Sequence, residues 1–299
     1  MKARLVYRKR LHRILYALKN RVIVVLLLST LLPLLLSGII SYYSITSILD
    51  NKMHNSVQSN LRQVKISIEN TLSNLNHVSQ QLAFNGSVGN DLAVYLETGD
   101  MLQKSELEKN IQKNVNLIRF SNPDLGHMFY YFSDTQNYVL SDMSMKGSFD
   151  SALLPELFST GELTYYGPHL TTLHNYINRT VLSITRKVDV PGYDNLYVYI
   201  ETSYQLTEDV LAADKSSMNI SHLIVDEQNR ITYSENPDQF AVGSIYKPYQ
   251  SGEGIKGSGG YFLFEENHNQ GWKLVAAIPK ADYNSEKNLW IRQFGLFIC

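Results

Sequence analysis

The hydrophobic positions of this chain follow three rules in succession, and each predicts a different kind of element. Over Val22–Ile40 there is no alternation. Leu, Val and Ile fill the segment, no residue is charged, and only Ser29, Thr30, Pro33, Ser37 and Gly38 interrupt it. Its nineteen residues make about 28 Å of helix, close to the hydrocarbon thickness of a bilayer. From Ile45 the rule changes: apolar residues recur at Leu49, Met53, Val57, Leu61, Val64, Ile68, Leu72, Leu75, Val78 and Leu82, an average step of 3.7. That is a helical period, with Asn, Gln, Ser and Lys on the other face. No Gly or Pro falls within Ser41–Asn85, and Asn85-Gly86 supplies a stop. A helix over 41–84 exceeds ~60 Å, too long for one compact domain to bury. The stripe therefore packs along several modules or pairs with a second copy.

After two short helical stretches within 87–120, the third rule is that of strands. HMFYYFSD and YVLSD form a hairpin turning at Thr135-Gln136-Asn137, followed by ELTYYGP, TVLSITRKVDV, a turn at 191–194, and LYVYIE. Several of these strands are apolar on both faces, as in Met128–Tyr131, so the sheet should be covered on both sides. A short helix over Gln205–Ala213 and a polar link lead to a second, smaller unit. SHLIVDEQNRITYSENP turns at Asp226–Asn229, and GGYFLFEENHNQGWKLVAAIP turns at Asn267–Gly271. A helix from Lys280 then runs into LWIRQFGLFIC, eleven residues including Arg292, too few to span a bilayer and read as the cut-off start of a second membrane helix. The expected fold class is α+β. Its parts are a basic tail (1–21), a transmembrane helix (22–40), a stalk helix (41–84), a distal sensor unit (85–215), a proximal unit (216–283) and the second membrane segment (284–299).

Charge sharpens the membrane reading. Residues 1–21 carry eight Lys and Arg and no acid, and the first acidic residue is Asp50. The remaining 19 basic and 28 acidic residues leave about −9 on the rest of the chain. A basic flank before a span stays in the cytoplasm, which puts everything after about residue 41 outside. Beside a span, that flank reads as a topology signal and not as a nucleic-acid site. The apolar run is longer than a signal-peptide core, and SYYSITSIL after it lacks a small-residue cleavage pattern, so it reads as an uncleaved anchor.

The chain holds no catalytic constellation. Cys299 is the only cysteine, which excludes a disulfide framework and a cysteine zinc site. His169 and His174 flank a loop-like LTTL with no third ligand, so no metal is expected, and no cofactor either. No G-x-S-x-G elbow occurs, and SGEGIKGSGG does not fit a phosphate-binding loop. Tyrosine is the unusual residue, twenty in all, crowding the first sheet region. Its apolar ring and polar tip suit a pocket for a small polar ligand. Alternation in TVLSITRKV sets Arg186 on the face of Leu182 and Ile184, where burial requires a partner, either a protein carboxylate or an anionic ligand group. Tyr130, Tyr166, Arg186 and Tyr199 are the candidate ligand-binding residues.

The basic tail, the span LLLSTLLPLLLSGIISYYSITSIL, SHLIVDEQNRITYS and GWKLVAAIPKADY together resemble the N-terminal half of YesM-like sensor histidine kinases. That resemblance implies a double Cache extracellular region, two PAS-like antiparallel-sheet units threaded on one long helix. It implies a small extracellular ligand and a parallel homodimer, with Ile45–Leu61 making the contact nearest the membrane. A histidine kinase would follow the second span and act on a response regulator; no phosphoacceptor box or ATP-binding segment occurs in these 299 residues. Double Cache domains that bind amino acids carry an aromatic–Arg–Trp set in the distal unit. Here Trp272 and Trp290, the only tryptophans, both lie outside it, so a sugar is the first choice. The same sensor also serves chemoreceptors, membrane-tethered AraC-type regulators and diguanylate cyclases, and a surface-anchored binding module is a further alternative.

Overall fold

A computed structural model describes residues 2–83, 87–140, 149–171, 179–203, 219–250 and 256–298. The expected stop at Asn85-Gly86, the helix Gln205–Ala213, and His174 and Tyr176 lie outside these residues. The chain divides into two compact units, Met1–His54 with Lys287–Cys299, and Asn55–Glu286.

In the first unit, α1 (Lys2–Ala83) begins and α4 (Lys280–Ile298) ends. The segment Val22–Ile40 is exposed throughout and is long and apolar enough to cross a membrane. Its hydroxyls need no outside partner: Ser29 and Thr30 donate to the Leu26 carbonyl at 2.9 and 3.0 Å, and Ser37 to that of Leu34. Pro33 is accommodated within the helix. Further along, Lys287 Nζ meets Asp50 Oδ2 at 2.6 Å and Lys52 lies over the Trp290 ring, so α1 and α4 are fastened by polar groups here. Leu49 and Met53 are buried within the single chain, while Ile48 is 61% exposed.

The second unit contains α2 (Ser87–Glu97), α3 (Met101–Ser121) and two six-stranded antiparallel sheets among the described residues. The first holds β1 (Leu125–Phe132), β2 (Tyr138–Val139), β3 (Glu156–Thr160), β4 (Leu163–Leu170), β5 (Thr180–Lys187) and β6 (Leu196–Thr202), in the order β2-β1-β6-β5-β4-β3. The second holds β7 (Ser221–Val225), β8 (Ile231–Ser234), β9 (Tyr249–Gln250), β10 (Lys256–Ser258), β11 (Tyr261–Asn267) and β12 (Lys273–Pro279), in the order β8-β7-β12-β11-β10-β9. Numbered within itself, each sheet reads 2-1-6-5-4-3, so one topology occurs twice. The α+β architecture is as expected. The short strands β3, β9 and β10 were not legible, because Pro155 and glycine-rich sequence flank runs too brief to show alternation.

The hydrophobic stripe of α1 is used inside the chain. Val57, Leu61, Val64, Ile68, Leu72, Leu75, Val78 and Leu82 are all at most 3% exposed. Of the two roles open to that stripe, packing along modules is the one realised. Leu49, Met53, Val57 and Leu61 are buried within the single chain, and the exposed apolar residue on the Ile45–Leu61 stretch is Ile48. Polar bonds pin the register of the stalk: Gln58 donates to the Glu265 carbonyl and to Glu266, and Lys65 lies 3.7 Å from Glu266. One glycine is fixed by close approach. At Gly126, where the β1–β6 register shifts, an added Cβ would lie 2.2 Å from the Thr202 carbonyl oxygen.

Candidate ligand-binding site

Strand register separates the four candidate residues into two pairs. Tyr130 stands opposite Val198, which stands opposite Arg186, so these side chains share one face. Tyr199 stands opposite Phe129 and Thr185, and Tyr166 opposite Ser183, which shares the other face with Thr185. The structure therefore does not bring the four together.

The first face meets the stalk. The Tyr130 hydroxyl donates to the Leu82 carbonyl of α1 at 3.0 Å, and burial pushes its pKa far up. The space lined by Leu82, Ile111 and Tyr130 is only ≈ 20 Å³, room for a water at most. Arg186 donates from Nε to Ser79 Oγ at 2.8 Å and from a terminal nitrogen to Asn76 Oδ1 at 2.5 Å, both on α1. Burial lowers the guanidinium pKa, with Tyr165 and Glu162 opposing. The partners that alternation demands for Arg186 include two neutral side chains of the stalk, Ser79 and Asn76.

The second face is aromatic at its centre and polar at one end. Phe129, Tyr131, Phe149 and Tyr199 form a buried cluster, with Phe129 and Tyr199 ring centroids 4.8 Å apart. Tyr199 donates to Glu201 Oε2 at 2.9 Å, and Thr171 donates to Glu201 Oε1 at 2.5 Å. His169 Nδ1 lies 2.7 Å from the Gly167 carbonyl, an obligate acceptor, which places the proton on Nδ1. Nε2 is then the acceptor, and Ser183 Oγ, 3.2 Å away, donates to it. Burial lowers the His169 pKa to about 4, so the ring is neutral near pH 7. Although Ser183 and His169 are adjacent, they are not a hydrolytic pair: the imidazole is oriented by a carbonyl, and Ser183 is wholly buried in mid-strand.

Toward β3 and β4 the same face opens. The Tyr166 hydroxyl lies 3.1 Å from Thr185 Oγ1, and burial raises the pKa of both Tyr166 and Tyr131, keeping them neutral hydroxyls. Tyr166, Thr164 and Glu156 line a cleft of ≈ 530 Å³ whose other wall is Asp226, Arg230 and Thr232, flanking and entering β8. Among the described residues, no group of three or more His, Cys, Asp or Glu could hold a metal ion.

The polar members of this face were not singled out from sequence. Ser183 and Thr185 sit in antiphase to Arg186 in TVLSITRKV, and Glu201 is in phase with Tyr197 and Tyr199 in LYVYIE. The alternation carries that signal, but Arg186, the charged residue in phase with Leu182 and Ile184, points to the opposite face. Asp226 and Arg230 had no such signal, because only the tertiary fold brings them to β4.

No family model matches the chain, and no curated protein sequence matches it. Among solved structures, the sensory domain of the Campylobacter jejuni chemoreceptor Tlp3 with isoleucine bound aligns at 14% identity and TM-score 0.46, over 80% of this chain and 97% of that one. The sensor domain of the V. cholerae histidine kinase DctB aligns at 12% identity and TM-score 0.49, over 77% and 98%. The ligand-binding domain of the Pseudomonas fluorescens chemoreceptor CtaA in complex with L-isoleucine aligns at 13% identity and TM-score 0.46, over 80% and 98%.

Proposed function

We propose that this chain is the sensory and anchoring region of a bacterial two-component sensor histidine kinase of the YesM-like kind. Val22–Ile40 crosses the cell membrane with the basic N-terminus in the cytoplasm, and the two sheets lie outside. A small extracellular molecule, with a sugar as first choice, binds on the side of the first sheet that carries Tyr166, with the buried Tyr199 behind it. Tyr130 and Arg186, assigned to the ligand on sequence grounds, act instead on the stalk side.

The observation that carries this reading is the division of labour across one sheet. One face carries buried hydroxyls, a carboxylate and aromatic rings and opens into the cleft at Tyr166, while the other is tied by Arg186 and Tyr130 to the helix that contains the apolar segment. A ligand that prefers one packing of this sheet biases the stalk by its differential affinity for the two packings. Parallel copies of the stalk transmit the change to a cytoplasmic kinase and its response regulator, with the Ile48 side of α1 facing the partner copy.

The test is a thermal-shift screen of the full chain in lipid nanodiscs against sugars, amino acids and organic acids. Stabilisation by one chemical class is expected, and lack of any response would overturn direct small-molecule sensing. The coding sequence after residue 299 decides the output: a phosphoacceptor histidine box supports the kinase. A methylatable coiled coil, a helix-turn-helix or a GGDEF segment would transfer the same sensor to a chemoreceptor, a transcription regulator or a cyclase.

A further inference from the structure

The cleft at Tyr166 has two walls of complementary chemistry, supplied by different sheets. On the second-sheet wall, Asp226 is 4% exposed and grips Arg230 twice, accepting from its backbone N–H at 2.7 Å and from its Nε at 2.9 Å. One terminal nitrogen of Arg230 reaches Gln228 Oε1 at 3.3 Å. Asp226 thus holds the Nε edge of the guanidinium, while the Arg230 side chain stays 57% exposed. On the first-sheet wall, the Glu156 carboxylate accepts from Ser159, whose hydroxyl also lies 3.2 Å from Thr164 Oγ1. Donors on one wall thus face acceptors on the other; the Thr164 hydroxyl can serve as either, and the Thr232 hydroxyl, which donates to the Ile224 carbonyl at 3.2 Å, can accept. Leu154 and Val242 add apolar surface, and ≈ 530 Å³ is within the range of small-molecule sites.

We infer that this cleft is the ligand site, and that its ligand is a neutral polyhydroxylated molecule of mono- to disaccharide size, held from both sheets. The inference rests on the sensor reading and narrows it. A free carboxylate or phosphate would meet the Asp226 carboxylate beside Arg230 and a second carboxylate at Glu156, which a neutral ligand does not have to oppose. Vicinal hydroxyls suit such walls: they accept from the guanidinium, donate to Glu156, and set their C–H face on apolar side chains. Because the contacts come from both sheets, the ligand binds best at one separation of the two. Occupancy therefore becomes a statement about how the sheets are arranged.

The test uses the full chain in nanodiscs, with Cys299→Ser so that Val242→Cys, at an exposed position lining the cleft, is the only thiol. A panel of mono- and disaccharides, amino acids and dicarboxylates is scored by unfolding temperature and by the alkylation rate of the new cysteine. At least one sugar is expected to stabilise the protein and slow alkylation several-fold. Arg230→Ala and the isosteric surface change Glu156→Gln should each weaken its binding by roughly tenfold or more. A sugar that stabilises but leaves both alkylation and the two variants' affinity unchanged overturns the cleft while the sensor reading stands. Stabilisation by amino acids or dicarboxylates alone overturns the ligand class. A panel without any stabilising member overturns the inference together with direct small-molecule sensing.

Discussion

His169 is neutral in the folded chain because burial lowers its pKa from 6.5 to about 4. Its folded pKa lies below the unfolded one, so the stability it contributes is complete above pH 6.5 and declines as the unfolded state takes up protons. The loss is complete once pH falls below about 4. Over that window it amounts to up to about 3 kcal/mol. Urea titrations at pH 7 and pH 4.5 should show this fall in the native chain and a smaller one in His169→Gln; equal falls would assign the pH dependence to other groups. On the other face, Arg186→Met keeps the apolar stem and removes two bonds to α1. It should cost roughly 1–3 kcal/mol, as loss of buried hydrogen bonds to a charged group does. It should also accelerate hydrogen exchange at the α1 amides around Asn76–Leu82 while leaving ligand affinity in place. Unchanged exchange there would remove Arg186 from the transmission path.

At the scale of elements, four rings in sequence join the two sheets. Tyr165 of β4 stacks on Phe158 of β3 at 4.3 Å, Phe158 faces His268 at 5.8 Å, and His268 stacks on Trp272 at 4.6 Å, with interplanar angles of 24°, 22° and 17°. His268, in the β11–β12 turn, also places Nε2 3.0 Å from Glu69 of the stalk. Three elements therefore converge on one imidazole: an edge strand of the first sheet, a hairpin of the second, and α1. A double-mutant cycle of Phe158→Ala with His268→Ala in chemical denaturation should give a coupling of about 0.5–1.5 kcal/mol, the range of aromatic pairs. Additive effects would show that the column is adjacency without coupling. The turn that carries His268 was readable from Asn267–Gly271, and Gly271 does take the positive φ expected of such a position. The column was not, since Phe158 and His268 are 110 residues apart and belong to different sheets.

For the whole molecule the testable quantity is orientation. With Cys299→Ser as background, a cysteine at Met101, 86% exposed on α3, should react with a membrane-impermeant maleimide in intact cells. A cysteine at Ala3 in the basic tail should react only after permeabilisation. The opposite pattern would invert the topology and place the cleft on the cytoplasmic side.

What the sequence determined by itself was everything that depends on local periodicity. The uncharged run over Val22–Ile40, the 3.7-residue stripe from Ile45 to Leu82, and the alternating strands each report their own element, because burial of one face imposes one period. Even the two faces of the first sheet were written in TVLSITRKV and LYVYIE. What the sequence could not say was which face meets the stalk and which turns away from it. Arg186 needed a partner, but alternation cannot distinguish a ligand anion from the side chains of Ser79 and Asn76, over a hundred positions earlier. The stripe on α1 likewise could have packed on its own sheets or on a second copy, and only the placement of both sheets along it shows that its buried face is already occupied. The cleft between Glu156 and Arg230 belongs wholly to the tertiary structure. Its two walls are separate hairpins, and no period in either one refers to the other.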